Sequence, residues 1–180
     1  SLVKYTGSAS SVTIPSTISQ RVVNGTTYYL AGSDLTVTSI ANGSGTTNGA
    51  FYAARSTLQN VTLPSALTQI GAYAFYGCSK LTSIDLPSTL TQIGAFAFYG
   101  CSKLTDIDLP ASVISIAQNA FTKCSSLESV SIPSNSKLQN IGIAAFLNCS
   151  SLQSIRVPST MNQISTAAFN GCISLKTVTI

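Results

Sequence analysis

No histidine occurs anywhere in the 180 residues of this chain. A Ser-His-Asp or Cys-His catalytic arrangement is therefore excluded, and so is metal ligation through imidazole. Charge is scarce as well: 9 Lys and Arg against 5 Asp and Glu make up only 8% of the chain, leaving polarity to Ser, Thr, Asn and Gln. The net charge of +4 is scattered, with no Lys/Arg-rich run and no basic helix, so nucleic acid is not an expected partner. No stretch reaches the roughly 18 to 20 apolar residues that a membrane span requires, and direct insertion by this segment is not expected. The start "SLVKYTGSAS" has no basic segment leading into an apolar one. Phosphate-binding loops of the G-x-x-x-x-G-K-[ST] and G-x-G-x-x-G types are missing too, and no cofactor is expected. The chain also lacks an initiator Met, and its last residues, "SLKTVTI", stop where other copies of the same pattern place a proline. It reads as an excised segment of a longer protein.

What is present is repetition. "IGAYAFYGCSKLTSIDLP" at residues 70–87 returns 23 residues later as "IGAFAFYGCSKLTDIDLP", changed at two positions. Three markers run in phase along the chain: an Ala-Phe pair at Phe51, Phe75, Phe98, Phe121, Phe146 and Phe169, an aliphatic-Pro pair, and a cysteine. The cysteines Cys78, Cys101, Cys124, Cys149 and Cys172 are spaced by 23, 23, 25 and 23 residues. Such a period is the signature of a solenoid, and missing it would misread the whole fold.

One unit reads L-x-x-I-x-L-P-x-x-(L/V)-x-x-I-(G/A/S)-x-x-A-F-x-x-C-(S/I)-x. Segments such as "LTSIDL", "LTDIDL" and "LESVSI" alternate apolar and polar residues, which predicts a short strand with one buried face. Proline then ends the strand because it has no N–H for the ladder. In "IGAYAFYGC" the spacing of Ile70, Ala74 and Phe75 predicts a return with one or two helical turns, or an extended one, stopping near Gly77. A unit of 23 residues cannot bury its own apolar edge, whereas stacked units at about 4.8 Å per strand share one core. The expected fold is thus an α/β solenoid of about six repeats spanning residues 1–180 as one domain, with a parallel sheet along one face.

The first third departs from the pattern. An insertion is read near residues 20–48, where "RVVNGTTYYL" predicts a hairpin turning at Asn24 and Gly25 and "TSIANGSGTTNG" a polar loop before the pattern resumes at Ala50 and Phe51. The hairpin is expected to cap the open N-terminal end or to serve as a recognition loop.

The phrases "LPSTLTQIGAFAFYGCSKLTDIDLP" and "VPSTMNQISTAAFNGCISLKTVTI" resemble the BspA-like, or Treponema pallidum type, leucine-rich repeats, and "LVKYTGSASSVTIPSTI" resembles the way such domains begin. The resemblance covers the chain apart from residues 20–48. It implies a right-handed leucine-rich-repeat superhelix belonging to a cell-surface or secreted protein of a host-associated bacterium or protist. It further implies adhesion to host matrix or cell proteins, or to other microbes. No family motif marks a ligand site.

Five cysteines in one phase form a ladder rather than the convergent C-x-x-C spacing of a metal site. Parallel side-chain vectors and an odd count suit disulfides poorly. Buried apolar thiols filling a narrow turn are expected. Lys80 and Lys103 directly follow Ser79 and Ser102, but at a repeat position that reads as solvated scaffold, and no catalytic residue is assigned.

Outward strand positions carry more. With Leu81, Ile84 and Leu86 inward, Ser83 and Asp85 face out, and the same phase exposes Asn60 and Thr62, Asp106 and Asp108, Ser129 and Ser131, and Arg156. Four of the five acidic residues, Asp85, Asp106, Asp108 and Glu128, fall on or beside three successive strands. Asp85 and Asp108 are expected about 5 Å apart on adjoining strands. That predicts a weak cation site, a docking patch for a basic segment, or a solvated face, with Lys80, Lys103 and Lys123 as a basic edge beside it.

The binding face is therefore expected at Asn60, Thr62, Ser83, Asp85, Asp106, Asp108, Glu128, Ser131 and Arg156. The function it fits is a non-catalytic module that binds a protein ligand. A glycan-binding module using Tyr28, Tyr29 and Tyr52, and a passive spacer, are the alternatives.

Overall fold

The computed structural model describes residues 2–3, 9–15, 17–18, 20–23, 26–29, 35–36, 38–40, 43, 45–46 and 49–179, with residues 2–3 and 17–36 described in backbone alone. Its framework is two parallel ladders that share the coils of a solenoid. The first ladder stacks seven two-residue strands in the order Leu2–Val3, Ser39–Ile40, Gln69–Ile70, Gln92–Ile93, Ser115–Ile116, Asn140–Ile141 and Gln163–Ile164. Each pairs in register with its repeat equivalent, Ile93 with Ile70 and Ile116 for instance. The second ladder stacks Asp106–Asp108, Ser129–Ser131, Ser154–Arg156 and Thr177–Thr179. A separate parallel pair joins Ser11–Thr13 to Asn60–Thr62.

The second ladder is the strand face read from the "LTDIDL" segments, and its alternation is as expected: Ile107, Val130 and Ile155 are buried while their neighbours on either side are exposed. The first ladder was not expected as a sheet. Its Gln-Ile pairs fell within the return predicted to be partly helical, and that helical option fails. Among the described residues the one helical element is a single 3-10 turn at Tyr52–Ala54.

The physical reason lies in where the amides go. In each return the N–H groups that a helix would keep for itself reach the next coil: Tyr73 donates to Ala95, Phe75 to Ala97 and Gly77 to Tyr99, at 2.9, 2.7 and 2.7 Å. Left-handed backbone at the turn residues, φ +57° at Tyr73 and +70° at Gly77, also breaks any α-helical run. The fold is a β-solenoid with turn-linked coils rather than an α/β one.

Burial confirms that neighbouring coils, not single coils, make the core. The six phenylalanines from Phe51 to Phe169 form one column with successive ring centroids 4.7, 5.1, 5.1, 5.2 and 5.4 Å apart and planes within 7° of parallel. These separations track the spacing of paired strands, so each ring lies on its own image in the next coil. In the last described coil the equivalents of buried residues are bare: Val178 is 54% exposed against 2% for Ile155. Close coil spacing also explains a glycine, since a Cβ on Gly94 would come within 2.6 Å of backbone atoms of Gly71 and Ala72.

In the N-terminal part, Gln20–Val23 pairs antiparallel with Thr26–Tyr29, the arrangement read from "RVVNGTTYYL". The turn residues Asn24 and Gly25 lie outside the described residues, as do the side chains of Tyr28 and Tyr29. Ser39–Ile40 already sits in the first ladder, between Leu2–Val3 and Gln69–Ile70. The coil is thus rejoined well before residue 48, because "SI" serves there as the counterpart of "QI" in later repeats.

Candidate functional site

Every residue expected on the outward strand face is exposed, from Asn60 to Arg156. The structure does not, however, make one continuous sheet of them. Asn60 and Thr62 belong to the pair with Ser11–Thr13, and the second ladder begins at Asp106. Between them, residues 83–86 lie in no strand, and Ile84, Asp85 and Leu86 make no backbone hydrogen bond to either neighbouring coil. The coils remain joined just before this point, where Thr82 N–H donates to Gln59 and Thr105 N–H to Thr82, both at 3.3 Å.

The pairing expected between Asp85 and Asp108 is thus not made. In ladder register these carboxylates would face each other directly, an arrangement that destabilises a strand pair. The coils part there and leave an open recess of about 320 Å³ lined by Ser83, Ile84, Asp85, Leu86, Asp106 and Asp108. Four of the expected binding residues therefore line one notch.

Its far wall is fixed by the next coil. Ser129 donates its hydroxyl to Asp106 Oδ1 at 2.6 Å, and the hydroxyls of Ser129 and Thr105 hold the Asp106 carboxyl below its ordinary range. Asp106 is thereby kept ionised and oriented. Among the described residues no group of three or more His, Cys, Asp or Glu is arranged to hold a metal ion.

The other expected residues lie apart from the notch. Glu128 lines a second open recess with Ser151, Gln153, Ile173, Ser174 and Lys176. Ser131 pairs with Asp108 within the ladder, and Arg156 pairs with Thr179 toward its end. Lys123 does not join the basic edge beside the carboxylates. It precedes Cys124, unlike Lys80 and Lys103, which follow their cysteines, and so it falls on the turns, with φ +62° and its ammonium 5.4 Å from the Tyr99 ring centroid.

The cysteine ladder is a set of free, buried thiols. Cys101, Cys124, Cys149 and Cys172 each donate from Sγ to the carbonyl of the phenylalanine one coil back, Phe75, Phe98, Phe121 and Phe146, at 3.1 to 3.3 Å. Burial pushes Cys78 and Cys124 up to about 12. Cys101 is raised for the same reason, and Cys149 by its hydrogen bond with Cys172 and by burial. Cys172 is lowered instead, first by that same hydrogen bond, whereas the other four are held as thiols that fasten neighbouring coils.

The turns carry a surface feature the sequence reading passed over. Tyr73 stacks on Phe96 at 4.8 Å and Tyr76 on Tyr99 at 4.9 Å, each pair within 7° of parallel. The two rows meet at 43 to 44°, with centroids 5.7 and 6.0 Å apart. All four rings are half-buried. Tyr73 and Phe96 occupy left-handed positions that later coils give to Asn119, Ala144 and Ala167. Left-handed backbone there costs any residue with a Cβ on the order of 1 kcal/mol, alanine as well as an aromatic. The available signal was the Tyr or Phe two residues before Phe75 and Phe98, together with the tyrosine one after each.

A stacked coil carrying Leu, Ile and Phe inward at a 23-residue period defines a leucine-rich-repeat solenoid. The chain belongs to the BspA type leucine-rich repeat family, whose repeat region matches residues 46–180 in six copies. No curated protein sequence matches it. Among solved structures it is similar to the leucine-rich repeat protein TpLRR of T. pallidum, at 31% identity and a TM-score of 0.77 over 98% of this chain and 72% of that one. A leucine-rich repeat protein from Bacteroides ovatus shares 27% identity with a TM-score of 0.69, covering 94% of this chain and 45% of that one. A leucine-rich cell surface protein from Faecalibacterium prausnitzii shares 27% identity with a TM-score of 0.61, covering 98% and 48%. The chain thus spans less than half the length of the latter two.

Proposed function

We propose that this chain is a non-catalytic protein-interaction module of a microbial cell-surface or secreted protein, and that it adheres to host matrix or cell proteins. The observation that carries this reading is the notch, where Ser83, Asp85, Asp106 and Asp108 line one open recess on an exposed edge of a rigid stack. Asp106, held ionised by Ser129, gives that recess a fixed negative wall suited to a Lys or Arg side chain on a partner. A preorganised repeat scaffold loses little conformational freedom on binding, which favours recognition by a shallow polar face. The flanking strand positions Asn60, Thr62, Glu128, Ser131 and Arg156 extend the contact surface. Membership of the BspA type family and the likeness to a cell surface protein support the location.

The test is capture of immobilised host matrix proteins by this chain and by its Asp85→Asn, Asp106→Asn, Asp108→Asn triple variant. Capture by the parent that falls at least tenfold in the variant, with an unchanged melting temperature, supports the reading. Equal capture by both removes the notch from it.

A further inference from the structure

Apart from the strand face, the turns of four adjacent coils present a surface of opposite character. The rings of Tyr73, Tyr76, Phe96 and Tyr99 form one block, bracketed by two exposed cations. At one end Arg55 lies over the Tyr52 ring at 3.9 Å, with its side chain close to Gly77, the residue after Tyr76. At the other end the Lys123 ammonium lies over Tyr99. A hydrogen bond from the Lys123 ammonium to the Tyr99 hydroxyl oxygen raises the Lys123 pKa, so the ammonium stays charged through the physiological range. The four described carboxylates, Asp85, Asp106, Asp108 and Glu128, all belong to the strand-face segments and none to these turns.

Ring orientation decides what such a block can bind. Parallel stacking hides one face of each ring against its partner, and Lys123 covers the outer face of Tyr99. The half-buried rings keep part of their surface toward solvent, ring edges and tyrosine hydroxyls included. Edges are the positive part of the aromatic quadrupole, and hydroxyls can donate, so edges, hydroxyls and cations all favour negative charge. Ligands that need a free ring face, a quaternary ammonium or a sugar ring lying flat, find few. The half-buried rings also leave apolar surface between the two cations, and tyrosine and arginine are residue types that dominate interface energetics. Every coil from Tyr73 to Ala167 holds left-handed backbone at this position, yet only two of them place an aromatic ring there, so the scaffold itself does not require the rings.

We infer that the aromatic block of Tyr73, Tyr76, Phe96 and Tyr99, flanked by Arg55 and Lys123, is a second docking surface, and that its partner is an acidic peptide segment carrying apolar side chains. The apolar side chains pack on the half-buried rings while carboxylates reach Lys123, Arg55 and the tyrosine hydroxyls. This surface is independent of the strand-face notch and stands if that reading fails.

The experiment measures fluorescence anisotropy of a labelled glutamate-tyrosine copolymer titrated with the chain, beside polyglutamate and hyaluronan. The copolymer is expected to bind at least tenfold more tightly than either companion and to weaken as salt rises. The Arg55→Glu, Lys123→Glu variant alters two exposed side chains, so it folds like the parent and is expected to lose at least tenfold in copolymer affinity. Tyr76→Ser, Tyr99→Ser, with its fold checked by circular dichroism, is expected to do the same, whereas the triple Asp→Asn variant binds as the parent does. Failure of the copolymer to bind, equal affinity for the charge-reversed variant, or hyaluronan binding as tightly as the copolymer would overturn the proposal.

Discussion

The thiol of Cys124 donates to the carbonyl of Phe98, 26 residues earlier in the chain and one coil away, at 3.1 Å. The same bond recurs at three other coils, so the cysteines act as short, apolar rivets between turns. Alkylating reagents attack the thiolate, and a buried thiol raised to about 12 offers almost none at pH 8. Iodoacetamide at pH 8 is therefore expected to leave Cys78, Cys101 and Cys124 unmodified in the native chain and to label all five cysteines in denaturant. Mass spectrometry after each treatment reads the outcome, and rapid native labelling of Cys124 would show that the ladder is open.

Those thiols also set an alkaline limit on stability. In the unfolded chain a cysteine ionises near pH 8.5 to 9, whereas folded Cys78 and Cys124 hold their protons to about 12. Between these values the unfolded state binds fewer protons than the folded one, so stability falls as pH rises. It is complete below about pH 8.5 and declines by about 1.4 kcal/mol per pH unit for each such thiol. Urea unfolding is expected to show a loss of about 2 kcal/mol from these two residues between pH 9 and 10. The Cys78→Ala, Cys124→Ala variant, although less stable at neutral pH, is expected to show a correspondingly shallower slope.

Position within the phenylalanine column decides the cost of removing a ring. Phe98 is fully buried between Phe75 and Phe121, so truncation opens a cavity lined on both sides by rings. Phe98→Ala is expected to cost about 3 to 5 kcal/mol. Phe169 is only partly buried and stacks on Phe146, so Phe169→Ala is expected to cost roughly 1 to 2 kcal/mol. Equal losses in thermal unfolding of the two variants would mean that the column does not act as a stack.

Much of this frame is readable because a solenoid forces each residue to fit its own image. The phase of Phe75, Phe98 and Phe121 and the alternation around Ile107 follow from that constraint, and both appear in the structure as expected. The return segments misled because the spacing of Ile70, Ala74 and Phe75 suits a helical turn equally well. Only the partners of the Phe75 and Gly77 amides, which lie in the next coil, separate the two. Local sequence has no access to them.

The candidate site was legible as a set of residues and not as a shape. Periodicity places Ser83, Asp85, Asp106 and Asp108 outward, but the notch exists because one pair of coils parts, and pairing between coils is not written in either repeat alone. The aromatic block was missed for a different reason. Tyr73 and Phe96 look interchangeable when each repeat is read against a template, and their stacking, left-handed backbone and flanking cations appear only when coils are set side by side.

If like charge keeps the notch open, removing one carboxylate should close it. Asp85→Ser places at that position the residue that follows Asp108 on its other side in the ladder, Ser131. Opposed carboxylates then give way to a hydroxyl facing a carboxylate, the kind of pair Ser129 makes with Asp106. The change is expected to stabilise the chain by about 0.5 kcal/mol. Hydrogen exchange is the sharper measurement, because the amides of Ile84, Asp85 and Leu86 now lack partners in either neighbouring coil while those of the second ladder are paired. In the parent these three amides are expected to exchange faster than those of residues 107–108. In Asp85→Ser they are expected to slow by tenfold or more as residues 83–86 join the strand of Asp106–Asp108. Unchanged exchange in the variant would mean that the coils part for a reason other than charge.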